Sequence, residues 1–397
     1  MQIKPSRQLV TQPHRNAWLE INLAALEQNV RWWRKNTPAH QALMAVVKAD
    51  AYGHGALIVT PILKACGVTH LGVSNVDEAL QLRQGGVEIP ILVLGATPEW
   101  AWNLASSHDV QLTVFSQRDI DCLAQVKHPT VVHLKVDTGM HRLGASPELA
   151  LDLLQQLRAM PHVTVEGLFT HLAKGEDESA TLEQWQAFET GVLQHLDESP
   201  PLVHFANTPA TLALRASSNP LAKHLIDTCN LLRLGIGLWG YETTEPDLLP
   251  VMGLKARISH LQTLNAGEGV SYGHCFHTTQ DGSVIATIPL GYADGIPRCL
   301  SNQLQGRYMG HLVPQVGNIT MDQMMFDLTE LVKSGGLKRP PKVGDVISLL
   351  EHGRAGQVER DAEAHGLSLN HWASLTGTIP YELMCGLRVR LPRSVVR

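Results

Sequence analysis

Short apolar runs rich in β-branched residues alternate with segments of helical spacing over the first two thirds of the chain. Eight such runs can be counted, at 43–50, 69–75, 90–95, 110–116, 130–137, 165–171, 202–207 and 231–240. The segments between them include 56–65, 76–85, 147–159 and 180–195, where apolar residues recur with helical periodicity. Strands that alternate with helical segments predict βα units on a parallel sheet. Because eight parallel strands close a barrel, the pattern predicts an α/β fold with a (β/α)8 TIM-type barrel.

A second domain is predicted after about residue 241, where strands separated by turns replace the helical spacing. These strands are expected within 252–275, 283–292, 303–327 and 343–349. We therefore expect the barrel at 16–244 and a mostly β C-terminal domain at 245–397, with the proline-containing stretch 242–250 as the junction. Residues 1–15 precede the first predicted helix, at 22–35, and are expected to join the β domain.

Charge and cysteine usage exclude several classes of protein. The net charge of -5 argues against nucleic acid or an anionic membrane surface as a partner. No apolar run reaches the roughly 18 residues of a membrane span, and residues 1–15 lack the apolar core of a secretory signal. The six cysteines are scattered without a CxxC pair. This usage suits a reducing cytoplasm, and we expect a cytoplasmic protein without a metal site.

Lys48 is the first candidate for chemistry because it ends an otherwise apolar strand. The C-terminal ends of barrel strands form the active-site face. A charged amine is costly to bury there unless it is paired or used, and desolvation frees the amine as a nucleophile or a base. The alternative is a lysine that extends from the strand end into solvent, which is the commoner situation for an isolated lysine.

Lys48 is not isolated, because the run V-K-A-D-A-Y-G-H-G at 47–55 resembles the pyridoxal-phosphate attachment motif of bacterial alanine racemases. The same resemblance recurs in order at 135–144, 169–171, 204–208, 233–236, 270–273, 288–295 and 321–323. It implies an α/β barrel followed by a β domain, with pyridoxal 5'-phosphate as cofactor. The implied activity is the interconversion of L-alanine and D-alanine, which supplies D-alanine for peptidoglycan. The implied assembly is a homodimer with shared active sites.

The resemblance implies two catalytic bases, Lys48, which also holds the cofactor, and Tyr272, contributed by the partner subunit. Racemisation removes a proton from one face of the substrate Cα and delivers one to the other, and two bases on opposite faces can do this. A tyrosine with an unperturbed pKa of about 10 is a poor base at neutral pH, so a cationic group must favour its phenolate. His171 and Arg233 match the histidine–arginine pair that the family places behind the tyrosine. Without the motif, a core or interface role for Tyr272 would be the better interpretation.

By the same resemblance, Arg233 faces the pyridine nitrogen of the cofactor. A guanidinium, with a pKa above about 12, does not give its proton to pyridine. The ring therefore stays a weaker electron sink, which should suppress side reactions such as transamination. An arginine in a surface ion pair is the alternative interpretation of Arg233.

The resemblance assigns the remaining positions to the cofactor phosphate and the substrate. The phosphate would receive the hydroxyls of Tyr52 and Thr208 and the backbone N–H groups of Gly235 and Ile236. The substrate carboxylate would be bound by Arg142 and, from the partner subunit, by the backbone N–H of Met321.

Supporting roles follow for Lys135, which is often carbamylated in the family and then orients Arg142, and for Tyr292 at the active-site entrance. Asp322 and Arg298 are further entrance candidates. An ordinary buried lysine paired with an acid is the alternative for Lys135. His141 stands where many relatives have glycine, which makes the loop conformation there an open question.

One departure from the family bears on specificity, because Val389 stands where several relatives have a tyrosine near the cofactor phosphate. A roomier pocket would favour a racemase of broader amino-acid range, which accepts serine as well. Two other classes of pyridoxal-phosphate protein are alternatives. A barrel-only pyridoxal-phosphate homeostasis protein would lack the β domain and Tyr272. A decarboxylase of related fold would need a C-terminal cysteine motif that none of the six cysteines matches.

Overall fold

A computed structural model describes residues 15–241, 245, 247–353, 365–387 and 389–397. The chain divides into two compact units. The barrel unit comprises Val30–Ala51 and Ala56–Leu238. The sheet unit comprises the chain up to Asn29, Tyr52–Gly55 and the chain from Trp239 onward.

The barrel unit contains eight parallel strands, β2 (Ala42–Val46), β3 (His70–Val73), β4 (Ile91–Val93), β5 (Val110–Val114), β6 (Thr130–Lys135), β7 (Val163–Phe169), β8 (Leu202–His204) and β9 (Leu231–Leu234). Their order in the sheet is β8-β7-β6-β5-β4-β3-β2-β9. A parallel bridge between Asn207 and Arg233 links the two ends of this order. The predicted eight-stranded barrel is confirmed. Strands such as β5 are buried along their whole length because helices cover the outer face of such a sheet while side chains fill its interior.

The strands of the barrel unit alternate with helices, several of which begin at polar caps. The helices are Ala56–Ala65, Val76–Gln84, Trp102–Ser106, Gln117–Leu123, Pro147–Arg158, Glu178–Gly191, Thr208–Ala216 and Pro220–Thr228. Asn75, Ser116 and Ser146 each accept a hydrogen bond from the backbone N–H three residues later. The four predicted helical segments lie within a few residues of observed helices.

A nine-stranded sheet dominates the sheet unit. Its strands are β1 (Ala17–Asn22), β10 (Met252–Arg257), β11 (His260–Leu264), β14 (Ser283–Ile288), β15 (Gln305–Tyr308), β16 (His311–Val316), β17 (Met324–Asp327), β18 (Val346–Leu350) and β19 (Arg393–Val396). Their order in the sheet is β11-β14-β17-β16-β15-β18-β10-β1-β19. The short strands β12 (Gly269–Val270) and β13 (Phe276–His277) pair separately. The predicted mostly β C-terminal domain is confirmed.

Three features differ from the sequence-based expectation. Residues 17–22 were placed in the barrel domain and not predicted as a strand, but they form β1, which pairs with β10 and β19 in the nine-stranded sheet. Its six residues are all buried, and the helix Leu23–Lys35 follows it directly, so the sequence alone resembles a barrel βα unit. The helices Leu369–Thr376 and Pro380–Gly386 were not predicted. The pairing expected for residues 1–15 lies outside the described residues except at Arg15. Within the described ranges, no helix has the length and apolarity needed to cross a membrane.

Candidate active site

Lys48 follows β2 at the C-terminal edge of the barrel sheet and begins a strained turn. Ala49, Asp50, Ala51 and Tyr52 have φ angles of 53°, 54°, 55° and 54°, all in the left-handed region. This conformation costs about 1–2 kcal/mol for each L-residue. Backbone strain of this kind clusters at functional sites, where the surrounding structure over-determines it.

The carboxylate of Glu78 stabilises this turn. Its two oxygens accept hydrogen bonds from the backbone N–H groups of Ala49 and Ser74, each at 2.7 Å. Asp50 accepts a further hydrogen bond from the backbone N–H of Ala56 at 2.8 Å, which ties the turn to the next helix. Glu78 could not be identified from the sequence, because a glutamate in the first turn of a helix is common on any protein surface.

Arg233, in β9, is buried and makes five hydrogen bonds. Its guanidinium donates to the carbonyl oxygens of Thr170, His204 and Phe205 at 2.8, 2.8 and 2.9 Å. It also donates to Nδ1 of His204 at 2.9 Å and to Nδ1 of His171 at 3.2 Å. Burial lowers the pKa of Arg233 to about 10, so the side chain stays charged at neutral pH. The surface ion pair considered for Arg233 is therefore wrong.

These hydrogen bonds determine where two histidines carry their protons. A guanidinium can only donate, so Nδ1 of both His171 and His204 must accept, and the proton of each neutral ring is on Nε2. Nε2 of His204 lies 2.9 Å from Nδ1 of His133, and Nε2 of His133 lies 3.2 Å from Oε1 of Gln111. A directed chain of hydrogen bonds thus runs from Arg233 through His204 and His133 to Gln111.

Three histidines around Arg233, namely His133, His171 and His204, are neutral at pH 7. Burial, followed by the charges of His70 and Arg233, lowers the pKa of His133 to about 3. Burial and the charge of Arg233 lower the pKa of His204 well below its usual value. The pKa of His171 falls to about 3, first through burial and then through Arg233 and other cations. Of these three histidines, only His171 stands in a motif that predicts a role for it.

Lys135, the last residue of β6, is buried beside other cations. Its Nζ lies 5.5 Å from the ring centroid of Phe169, and the guanidinium carbon of Arg233 lies 5.4 Å from the same centroid. Burial, with the positive charges of Arg233, Arg142 and Lys48, lowers the pKa of Lys135 to about 8. The amine therefore loses its proton more readily than an exposed lysine does.

The loop that leads to Arg142 is held by Asp137. One carboxylate oxygen of Asp137 accepts from the backbone N–H groups of Gly139, Met140 and His141 at 3.0, 3.1 and 3.0 Å. Burial alone would raise the pKa of Asp137, but these hydrogen bonds lower it. His141 has a φ of 53°, so the loop adopts the left-handed conformation that favours glycine. Arg142 follows this loop and is exposed.

Thr208 lies against the backbone that follows β9. Thr208 is buried at the start of its helix, and its Oγ1 accepts from the backbone N–H groups of Gly235 and Gly237 at 3.2 and 3.4 Å. A hydroxyl that accepts twice still has its own proton to donate. At Gly237 a Cβ atom would lie 2.7 Å from Thr208 and 2.7 Å from Trp33, so only glycine fits. Thr208 thus contacts the backbone on both sides of Ile236, and the role of Thr208, Gly235 and Ile236 toward a phosphate stays a prediction.

Tyr52 belongs to the sheet unit, where its buried ring lies 6.0 Å from the ring centroids of both Trp239 and Tyr381. Burial raises the pKa of the Tyr52 hydroxyl, and the neighbouring Tyr381 and Cys385 raise it further. The hydroxyl is therefore protonated at neutral pH and can donate a hydrogen bond. Tyr381 and Cys385 come from the unpredicted helix Pro380–Gly386.

Tyr272 lies on a tight turn of the sheet unit, with 74% of its surface exposed. Ser271, Gly273 and His274 have φ angles of 68°, 72° and 45°. Asn318 fixes the turn through two hydrogen bonds. Its side-chain Nδ2 donates to the backbone carbonyl oxygen of Tyr272 at 2.6 Å, and its backbone carbonyl oxygen accepts from Oγ of Ser271 at 2.7 Å. The backbone of the turn is therefore fixed by hydrogen bonds, while the Tyr272 side chain is exposed.

Tyr292 and Met321 lie on neighbouring segments of the sheet unit. The backbone N–H of Tyr292 donates to the carbonyl oxygen of Thr320, and that of Ala293 to the carbonyl oxygen of Met321, both at 3.0 Å. Tyr292 is 40% exposed and Met321 54% exposed. Of the other entrance candidates, Asp322 follows Met321, and Arg298 begins a short 3₁₀ turn, Arg298–Leu300.

The predicted site residues fall into two sets. Lys48, Lys135, Arg142, His171, Thr208, Arg233, Gly235 and Ile236 lie in the barrel unit, and Tyr52, Tyr272, Tyr292 and Met321 lie in the sheet unit. The chain thus combines a barrel with a β domain. A lysine follows one barrel strand, and a buried arginine lies in the neighbouring strand, which is the architecture of a two-domain α/β-barrel enzyme.

The family model of the alanine racemase N-terminal domain matches residues 21–243, and that of the C-terminal domain matches 251–395. The chain belongs to the alanine racemase family.

Individual relatives match along nearly the whole chain. An alanine racemase of Nostoc sp. is 36% identical, and the match covers 95% of this chain and 95% of that protein. One from Synechocystis sp. is 36% identical over 96% of this chain and 99% of that protein. The crystal structure of alanine racemase from Bacillus anthracis with bound L-Ala-P superposes with a TM-score of 0.82. It shares 31% identity and covers 97% of this chain and 96% of that one.

Proposed function

We propose that this chain interconverts L-alanine and D-alanine with pyridoxal 5'-phosphate as cofactor and with Lys48 and Tyr272 as the two bases. The observation that carries the proposal is the group of basic side chains at the C-terminal ends of the barrel strands: Lys48 follows β2, and Lys135 of β6 and Arg233 of β9 lie 5.5 and 5.4 Å from the same Phe169 ring. Such a site favours a cofactor that carries a phosphate and a substrate that carries a carboxylate. The full-length similarity to alanine racemases supports the same activity.

The donors in the barrel unit fit the proposed cofactor. Lys48 would hold it covalently through its amine, and the Thr208 hydroxyl with the Gly235 and Ile236 N–H groups would bind its phosphate, joined by the Tyr52 hydroxyl. Arg233 would face the ring nitrogen, and because this guanidinium keeps its proton, that nitrogen stays unprotonated. When bound, pyridoxal phosphate supplies an electron sink that acidifies the substrate Cα–H bond.

Two proton-transfer groups would act at the substrate Cα. Nζ of Lys48 would accept or deliver the proton on one face, and the phenolic oxygen of Tyr272 would do so on the other. We propose that Tyr272 comes from a second copy of the chain, so that the enzyme is a homodimer with shared sites. The 74% exposure of this tyrosine supports that arrangement. His171 has its proton on Nε2 and can donate it in a hydrogen bond that stabilises the phenolate of Tyr272.

The substrate carboxylate would be bound by Arg142 and by the backbone N–H of Met321 from the second copy. Lys135, carbamylated and therefore anionic, would orient Arg142, and Tyr292 would narrow the entrance. The proposed substrate is a small amino acid, and we propose a cytoplasmic enzyme with neither nucleic acid nor membrane as partner.

A direct assay tests this proposal. Purified protein with pyridoxal phosphate is incubated with L-alanine or D-alanine, and the opposite enantiomer is measured by chiral chromatography. A panel of other amino acids, scored for both the D-isomer and released CO2, separates a racemase from a decarboxylase. The proposal fails if neither enantiomer of alanine is converted.

A racemase of broader range is the second candidate. Val389 carries it, since this side chain is 66% exposed and stands where several relatives have a larger, hydrogen-bonding tyrosine. Turnover of L-serine in the same panel distinguishes it from a strict alanine enzyme.

A further inference from the structure

Asp294 is a fully buried carboxylate at the junction of three segments of the sheet unit. Arg15 binds it with both terminal nitrogens, at 2.6 and 2.7 Å. The backbone N–H of Gly291 donates to the same carboxylate at 3.1 Å. A buried charge with this many partners is stabilised only while all of them stay in place, because removing one leaves an uncompensated charge.

The same arginine reaches two further segments. Arg15 donates to the carbonyl oxygen of Pro289 at 3.0 Å and to that of Arg390 at 3.2 Å. The side chain of Arg390 lies 3.5 Å from Asp294 and donates to the carboxylate of Asp322 at 2.7 Å. A network of four charged side chains therefore ties together the segments 289–295, 320–322 and 389–391.

Each of these segments carries a residue that the proposed function places at the substrate or at the entrance of the active site. Tyr292 lies on the first, Met321 on the second and Val389 on the third. The segments that carry Tyr292 and Met321 pack directly against each other. Gly291 approaches the second segment so closely that a Cβ atom at this position would lie 2.2 Å from the carbonyl oxygen of Thr320. Any shift of the Asp294 network would therefore move Tyr292 and Met321 together.

We propose that Asp294 and Arg15 are positioning residues that set the affinity of the enzyme for the substrate carboxylate. They act through the Met321 backbone N–H and the Tyr292 side chain and touch neither substrate nor cofactor themselves. The inference rests on the proposed function, because it takes Met321 to bind the substrate carboxylate and Tyr292 to narrow the entrance.

The test compares Asp294→Asn with a matched variant, Asp345→Asn. Asp345 is also a buried carboxylate of the sheet unit, bound by both terminal nitrogens of Arg339 at 2.7 and 2.8 Å and by Tyr308 at 2.7 Å. No predicted site residue lies on its segment. Losing the charge at either position should lower the Tm, so stability alone does not separate the two variants.

Steady-state kinetics separates them. Asp294→Asn should raise the KM for alanine about tenfold and change kcat by less than about twofold, as expected for lost substrate binding. The inhibition constant of propionate, which is alanine without its amine, should rise by a similar factor. Asp345→Asn should leave both constants unchanged. If the two variants have equal KM values, the proposal is overturned while the racemase activity of the unmodified enzyme stands.

Amide hydrogen exchange gives a readout that needs no turnover. In the full-length Asp294→Asn enzyme, peptides that cover 289–295 and 319–323 should exchange faster, and in Asp345→Asn they should not. Arg15→Lys keeps the charge but loses the two-point contact and provides a milder variant if Asp294→Asn does not fold. Unchanged exchange and unchanged KM in Arg15→Lys would overturn the proposal, whereas an inactive unmodified enzyme would overturn the proposed function instead.

Discussion

Nη1 of Arg233 donates to Nδ1 of His204 at 2.9 Å, and this hydrogen bond fixes the proton of His204 on Nε2. The same logic extends to His133 and to Gln111, whose amide oxygen accepts at the end of the chain. In both histidines, Nδ1 therefore accepts a hydrogen bond and Nε2 donates one. The arrangement holds Arg233 in a single orientation and requires both histidines to be neutral.

The first prediction concerns the pH dependence of stability. His133 and His171 have folded-state pKa values of about 3, far below the roughly 6.5 of an unfolded histidine. Between these values the unfolded chain binds more protons than the folded one. Their contribution to stability is therefore complete above pH 6.5 and is lost as the pH falls toward 3. We expect each to add about 1.4 kcal/mol per pH unit to the slope of the free energy of unfolding within this window.

Urea unfolding at a series of pH values measures that slope. His133→Gln should make it shallower, whereas His128→Gln, at an exposed position, should leave it unchanged. Equal slopes for the unmodified protein and His133→Gln would show that His133 is not held neutral.

The second prediction identifies the lysine that holds the cofactor. Reduction of the loaded enzyme with borohydride should fix the cofactor to the peptide that contains Lys48, as read by mass spectrometry. Lys48→Ala should abolish racemisation and the visible absorbance of the bound cofactor, since no other amine follows β2 at this strained turn. Lys64→Ala, at an exposed lysine paired with Glu88, is the control and should retain both. Recovery of the reduced cofactor on another lysine would contradict the assignment.

The barrel could be predicted from the sequence because its strands are short β-branched runs at regular spacing, and that pattern depends on local residues alone. The partners of β1 could not, because pairing with β10 and β19 joins residues more than 200 positions apart. The helix Pro380–Gly386 was missed because it is short and begins with proline, which also marks turns.

The candidate site shows the same limit. Lys48, Arg233 and Thr208 could be found because they stand in recognisable motifs. His133 and Gln111 stand in no motif, and their role depends on which ring nitrogen faces which neighbour inside the barrel. Glu78 was missed for the same reason, since only the fold brings it to the backbone of Ala49.

The third prediction concerns specificity at Val389. If this valine leaves more room than the tyrosine of several relatives, L-serine should be a measurable substrate. A hydroxyl is worth only about 1–3 kcal/mol in an apolar pocket, so the preference for alanine should be moderate. Val389→Tyr should reduce kcat/KM for serine more than for alanine, and Val389→Ile is the control that changes size little. An unchanged ratio of the two kcat/KM values in Val389→Tyr would remove Val389 from the specificity determinants.

The fourth prediction tests whether two copies of the chain share each site. Lys48→Ala and Tyr272→Phe should each be inactive alone. If Lys48 and Tyr272 of one site come from different subunits, a mixed dimer has one site with both lesions and one with neither. Random pairing makes about half of the dimers mixed, and half of their sites are intact, so about a quarter of the unmodified activity should return. Native mass spectrometry of differently tagged chains confirms subunit exchange. With exchange confirmed, a mixture that stays inactive would mean that both bases come from one chain, because every site would then carry a lesion.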